Sequence, residues 1–471
     1  MALHRLSQFK LPKKEILLPT LLSIGLFLFF AYALDRSEFP KLMLWYGILF
    51  ALFWMLIKNH GNRFWLLAGI GVLFRLLFLP SIPNLSQDFF RFLWDGQVVA
   101  AFQNPYVYTP QEYMAFNGDS MGFFGIEVQH AHELVKGMGA LNASHFSNYP
   151  PINQLFFAIA STFGGNSMLW SVIALRLMII TADIGILYFG KKLLERLKLS
   201  VTNIFWYFLN PFIIIELTGN LHFEGVMLFF LVAALYLLHQ KKWIWAAVLF
   251  ALSISVKLLP LMLLPICFHW FEVKDRNLGR TILASIPFYL LVFATVVMTF
   301  LPFLSSEFIQ NFSGTIALWF QNFEFNASIY YIIRWIGYQT VGWNIIGTVG
   351  KILPVVIVLA ILALSFFRNN TTTQQRVTAM LFAVSVYFLL STTVHPWYVA
   401  TPLLLCVFTN YKFPIVWSFF VMLSYSAYGA EGFNENLWLV AVEYIVVIAF
   451  AITEIMATSG ERKGNFRVIG D

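Results

Sequence analysis

The run Ile16-Leu-Leu-Pro-Thr-Leu-Leu-Ser-Ile-Gly-Leu-Phe-Leu-Phe-Phe-Ala-Tyr-Ala-Leu34 contains no charged residue. Coiled as a helix, it is long enough to cross a hydrocarbon core of ~30 Å. The chain repeats the pattern. Of its 471 residues, 59% are hydrophobic and 18% aromatic, and only 11% are charged. A soluble domain carries roughly 25% charged residues, so the composition describes a polytopic membrane protein. Further apolar runs fall near 41–57, 64–80, 169–190, 201–217, 223–239, 281–302, 345–367, 376–394, 397–409, 413–428 and 436–457. The expected fold is all-α, one integral-membrane domain over residues 1–471 with about 12–14 transmembrane spans. No small-residue cleavage site follows the first run, which reads as a retained span. The net charge of +7 belongs to short juxtamembrane loops that set topology, and does not imply nucleic acid. Cys267 and Cys406 both lie in apolar runs, which argues against a disulfide or a zinc site.

Basic loops orient the spans. Arg5, Lys10, Lys13 and Lys14 place the N-terminus in the cytoplasm, and Lys58 to Arg63 falls inside again. Residues 81–150 then form a first large extracytoplasmic loop, and 303–343 a second. Lys191, Lys192, Arg196 and Lys198 require an odd number of crossings in between. The run Ile152–Phe163 is too short to cross, so it reads as re-entrant or interfacial. Trp243–Phe271 is flanked on both sides by cytoplasmic charge: Lys241 and Lys242 before it, Lys274, Arg276 and Arg280 after. Two short helices meeting near Lys257–Pro260 satisfy both flanks and put Lys257 at the outer face. Both termini are then cytoplasmic, in what is expected to be a bacterial inner membrane.

With the sides assigned, unusual polar residues collect on one face. Ser86-Gln-Asp-Phe-Phe-Arg-Phe-Leu-Trp-Asp-Gly96 opens the first outer loop. Asp88, Arg91 and Asp95 fall at i, i+3 and i+7 of a helix, on a face expected to meet water, while Phe89, Leu93 and Trp94 turn away. Glu216, Asn220, His222 and Glu224 bracket another outer turn. Lys257 sits in the hairpin, His395-Pro-Trp-Tyr398 in a further turn, and Glu324 and Asn326 in the second loop. Ionisable groups at membrane depth tend to face a cavity, and here at least five segments share one. A helix N-terminus keeps a carboxylate ionised, so Asp88 suits a general base. Arg91, Lys257 and His395 can hold an anionic leaving group such as a phosphodiester. Tyr106, Tyr149, Trp94, Trp397 and Tyr398 offer faces for a sugar or an isoprenoid chain. Each has a plainer reading: snorkelling for Lys257, an interfacial turn for His395, structural pairing for Glu216 and Glu224. Asn210-Pro211 reads as a kink. His130, His132, Glu133 and His145 read as solvated loop residues before metal ligands.

These segments resemble the GT-C superfamily of membrane glycosyltransferases. More narrowly they resemble bacterial polyprenol-phosphate-mannose-dependent mannosyltransferases, and remotely the first mannosyltransferase of GPI-anchor synthesis. The resemblance is carried, in order, by Asp88–Gly96, Asn104-Pro-Tyr106, Tyr149-Pro-Pro151, Asn210-Pro211 with Gly219-Asn-Leu-His-Phe-Glu224, Lys257-Leu-Leu-Pro260 and His395-Pro-Trp-Tyr398. It implies an inverting enzyme that takes sugar from a polyprenyl-phosphate donor on the extracytoplasmic side, with a glycan, lipid or protein acceptor. Asp88 matches the family's proposed base, and Arg91, Lys257 and His395 are assigned to the donor phosphate. Asp95, Asn220, His222, Glu224, Tyr149, Trp397 and Tyr398 are assigned to orienting sugar or acceptor. Many relatives carry an acidic pair where this chain has Gln87-Asp88, which weakens the case for a metal, and no cofactor is expected. The alternative is a transporter or flippase for a lipid-linked or anionic solute, but no repeated halves with paired broken helices are found. A lipid phosphatase using His395 as nucleophile lacks the arginines it would need.

Overall fold

Among the described residues, six helices are long and apolar enough to cross a membrane: Lys14–Tyr32, Phe39–His60, Met168–Arg196, Leu278–Phe303, Ile346–Phe366 and Leu437–Thr458. A seventh candidate is broken, Val201–Phe208 followed by Pro211–Gly219 at a bend of 48°. Shorter apolar helices fill the bundle, among them Phe64–Leu76, Glu224–His239, Trp243–Val256 and Leu259–Phe271. The computed structural model describes residues 14–116, 127–273, 277–429 and 432–467. The orienting residues Arg5, Lys10, Lys13, Lys274 and Arg276 lie outside the described residues. Large apolar side chains such as Leu283, Leu290, Phe293 and Met298 project outward from one crossing helix, as a hydrocarbon solvent requires. The architecture is an all-α polytopic bundle; among the described residues one two-residue β-pair joins Tyr428–Gly429 to Gly432–Phe433.

The helix breaks follow from local chemistry. At Asn210-Pro211, the Asn210 side chain caps the next helix by accepting from Phe212 N at 3.0 Å, and Pro211 occupies the first helical position. A π-helix, Ile214–Gly219, follows. The Trp243–Val256 helix ends because Lys257 is extended (φ −146°, ψ 139°), so the expected two-helix hairpin has its break at Lys257. Tyr149-Pro-Pro151 starts the Pro151–Gly164 helix with proline at its first position. Asn104-Pro-Tyr106 locks onto that start, the Tyr106 hydroxyl donating to Tyr149 O at 2.6 Å.

The Asp88–Ala100 helix differs from expectation. Its face with Arg91 and Asp95 does not meet water, and both residues are buried, as are Phe89, Leu93 and Trp94. The charges satisfy one another: Arg91 Nε donates to Asp95 Oδ1 at 2.7 Å. Asp95 Oδ2 accepts from Ser147 Oγ at 2.5 Å and Gln154 Nε2 at 2.9 Å. Arg91 Nη1 donates to the carbonyls of Asn142 at 3.1 Å and His145 at 2.9 Å. The helix is therefore an interior element, pressed on Pro151–Gly164 with Phe92 and Phe157 stacked at 4.5 Å.

Gly96 permits that approach. A Cβ there would lie 2.3 Å from the Phe157 carbonyl oxygen and 2.4 Å from Ser161 Oγ. Gly96→Ala is expected to cost about 1–3 kcal/mol through overpacking, read as a lower melting temperature in detergent. An unchanged melting temperature would contradict this packing.

Candidate active site

The breaks converge on one cavity of ≈ 950 Å³. Asp88 and Arg91 come from the 81–150 segment, Glu224 from the turn after the π-helix, Lys257 from the hairpin and His395, Trp397 and Tyr398 from the 395–398 turn. Leu258, Leu259 and Met262, with Val358, Ile361 and Leu362 of the Ile346–Phe366 helix, make its apolar wall. Gln87, Asn142, His145, Asn148 and Glu324, together with Arg36, make a polar wall from the loops. A pocket with one apolar and one polar wall can hold an amphiphile across its headgroup.

The 303–343 segment closes part of the rim. It carries two helices, Ser306–Gln321 and Ile329–Thr340. Phe325 N donates to Thr392 O at 3.1 Å and Val394 N to Phe325 O at 2.8 Å, an isolated bridge that ties the loop to the segment leading into His395. Asn311 Nδ2 donates to Tyr106 O at 2.9 Å, joining the 303–343 segment to the 81–150 segment.

The carboxylates on the wall are not equivalent. Glu224 is ion-paired with Lys257. Glu324 is ion-paired with Arg334 and also accepts from Tyr330 Oη at 2.5 Å. Among the described residues, Asp88 has no Lys or Arg within ion-pair distance; His222 faces it, with Nδ1 3.9 Å from Oδ2. Its side chain is 26% exposed, into the cavity. Burial raises its pKa to about 6, with Lys257 and Arg36 pulling it down and Glu224 pushing it up. The helix N-terminus thus does not set this group's titration as the sequence suggested. Desolvation outweighs it.

The other sequence assignments divide. Tyr149, Glu224, Trp397 and Tyr398 line the cavity, but Asp95, Asn220 and His222 are not on its wall. Asp95 has both oxygens bonded within the helix packing, and Asn220 donates to Glu216 at 3.4 Å. Arg91 reaches the wall with its Nε and Nη1 already engaged. His395 is not cationic: burial, then Lys257, lowers its pKa to about 3, so it meets an anion only as a neutral donor. Arg36, Tyr425 and Tyr428 line the cavity without having been singled out. An arginine in a short loop and tyrosines in apolar runs carry no distinguishing pattern. Among the described residues no three His, Cys, Asp or Glu side chains are grouped to hold a metal. His130 Nε2 instead contacts Asn166 O at 2.9 Å.

Residues 26–272 match the model of a family described as alpha-(1->6)-mannopyranosyltransferase, N-terminal domain. The chain is also 21% identical over 392 residues to alpha-(1->6)-mannopyranosyltransferase A of Mycobacterium tuberculosis, covering 77% of this chain and 70% of that protein. The matched span includes Asp88, Glu224 and Lys257, and stops short of His395.

A base must be ionised to act, and a pKa raised to about 6 moves the loss of ionised base upward from the ordinary carboxylate range. kcat/KM is therefore expected to fall with unit slope below about pH 6. A plateau continuing to pH 4.5 would contradict the environment described for Asp88.

Proposed function

The chain belongs to this mannosyltransferase family, and from that premise we propose that it moves mannose from a polyprenyl-phosphate carrier to a hydroxyl acceptor on the extracytoplasmic face, with inversion. It is an integral-membrane glycosyltransferase, which sets the transporter reading aside. One observation carries the finer reading: Asp88, the cavity carboxylate that has no Lys or Arg partner among the described residues, shares a wall with Lys257 in a pocket whose other wall is apolar. The isoprenoid tail lies against Leu259, Met262, Val358 and Leu362. The phosphate meets Lys257, whose attachment to Glu224 holds it in place, and His395 as a neutral donor. Arg91 acts through the helix it fixes more than as a direct phosphate ligand.

The acceptor hydroxyl approaches along the polar wall and gives its proton to Asp88. Its oxygen attacks the anomeric carbon as the bond to phosphate breaks on the opposite side. A single displacement needs one base. A double displacement would need a second carboxylate as nucleophile, and Glu224 and Glu324 are each committed to a cation. The acceptor is a glycan, consistent with loop side chains rich in amides and aromatic rings, and no cofactor is used. The polar wall faces outside, with the N-terminus cytoplasmic.

Asp88→Asn in purified, folded protein is expected to lower kcat by ~10²–10⁴-fold with donor binding retained. Transfer at the wild-type rate would overturn the base assignment. Lys257→Met is expected to raise the KM for the lipid-phosphate donor and to lower kcat, because the charge holds the bound phosphate and acts more strongly still as negative charge builds on the departing phosphate. An unchanged donor KM would remove Lys257 from the phosphate site.

A further inference from the structure

Behind Asp88, away from the cavity, lies a histidine that the reaction as described does not use. His222 is 1% exposed and does not contribute to the cavity wall. Its Nδ1 faces Asp88 Oδ2 at 3.9 Å, and its Nε2 faces Glu216 Oε2 at 3.8 Å. Glu216 is fixed in turn: Oε1 accepts from the Tyr425 hydroxyl at 2.7 Å, and Oε2 from Asn220 at 3.4 Å. The imidazole is gripped by its face, stacked on Trp397 at 3.6 Å between centroids and 16° between planes. Trp397 stacks on His395 at 4.6 Å and 1°. Trp397 therefore stands between the two histidines, and only His395 lines the cavity. A residue so screened is badly placed to read sugar hydroxyls.

The backbone is shaped to aim it. Glu216 lies in the π-helix Ile214–Gly219, and Leu221, immediately before His222, is left-handed at φ 64°. Both features cost stability and concentrate at functional sites. Arg176 holds the segment by donating to Thr218 O at 2.8 Å and Gly219 O at 3.0 Å.

We propose that His222, oriented by Glu216, is a positioning residue that sets the Asp88 carboxylate and takes over the proton Asp88 removes from the acceptor. This rests on Asp88 being the base. Glu216 opposite Nε2 favours a proton on that nitrogen, which leaves the Nδ1 lone pair toward Asp88. As the acceptor oxygen bonds to the anomeric carbon, the bond to phosphate breaks and the phosphate leaves with its electron pair. The acceptor proton passes to Asp88 and on to Nδ1, giving an imidazolium between two carboxylates. It returns through Asp88 to cavity water once product departs. Both gaps are longer than a hydrogen bond, as catalytic contacts without substrate often are.

The charged and titratable groups around the pair come from every neighbouring element. Asp88 and Glu216 favour a charged imidazole, whereas burial, Lys257 and His395 oppose it and keep His222 neutral at rest. Lys257, Glu224 and Arg36 act on Asp88.

The test measures transfer from a polyprenyl-phosphate mannose donor across pH, with melting temperatures for each variant. His222→Gln is expected to lower kcat by at least ~10-fold, leave donor and acceptor KM within about threefold, and move the acid limb to lower pH. The limb moves because the protonated pair loses its second site for the proton. Glu216→Gln is expected to shift the limb the same way by less. In an Asp88→Asn background, His222→Gln is expected to add no further loss. A raised sugar KM with an unmoved limb would overturn the inference in favour of sugar reading. A rate loss that only tracks melting temperature would overturn it in favour of a structural role. Full activity of Asp88→Asn alone would instead overturn the base assignment beneath it.

Discussion

The buried Arg91–Asp95 ion pair is the interaction on which the site depends. Two charges taken out of water cost several kcal/mol each unless their remaining hydrogen-bonding capacity is met. Here most of it is met from the other side of the packing, by Ser147 and Gln154 on Asp95 and by the Asn142 and His145 carbonyls on Arg91, with Arg91 Nη2 the exception. The pair therefore cannot be satisfied unless the Asp88–Ala100 helix is seated against the segment from 142 to 154. Seated there, it presents Asp88 at the cavity edge, one turn before Arg91. The charges that looked like site residues hold the site residue in place.

The same device recurs. Arg75 joins Asp183 at 2.7 Å and the Phe208 carbonyl at 2.8 Å, fixing the break before Asn210. Arg176 gathers the carbonyls of Leu79, Ser81, Thr218 and Gly219, so the entry to the 81–150 segment and the turn carrying His222 are tied together. In a bundle short of water, freed carbonyls at helix breaks must find donors, and an arginine supplies several at once. The breaks expose the side chains that do chemistry, and the buried arginines make the breaks tolerable.

Much of this was legible in the chain. Hydropathy gave the helical bundle, and loop charge exposed the break at Lys257 because one crossing cannot have cytoplasmic flanks at both ends. The ordered motifs gave the enzyme class, and structurally they are helix punctuation: a proline at the first position of Pro151–Gly164, an asparagine cap at Asn210, an extended residue at Lys257. What was not legible depended on partners far along the chain. The i, i+4 relation of Arg91 and Asp95 was visible, but Ser147 and Gln154, which make their burial possible, lie more than fifty residues away. Polarity at helical spacing was read as a solvated face for that reason. His222 and Trp397 are likewise distant, so nothing local distinguished a histidine that lines the cavity from one screened behind an indole.

The central claim is a single displacement at one cavity, driven by one carboxylate base. The anomeric configuration of the transferred mannose tests it most directly. NMR of the purified product, made from a donor of known configuration, should show the opposite anomer at the new linkage. The same anomer would require two displacements and a covalent or ion-pair intermediate on a second group, and would contradict the account.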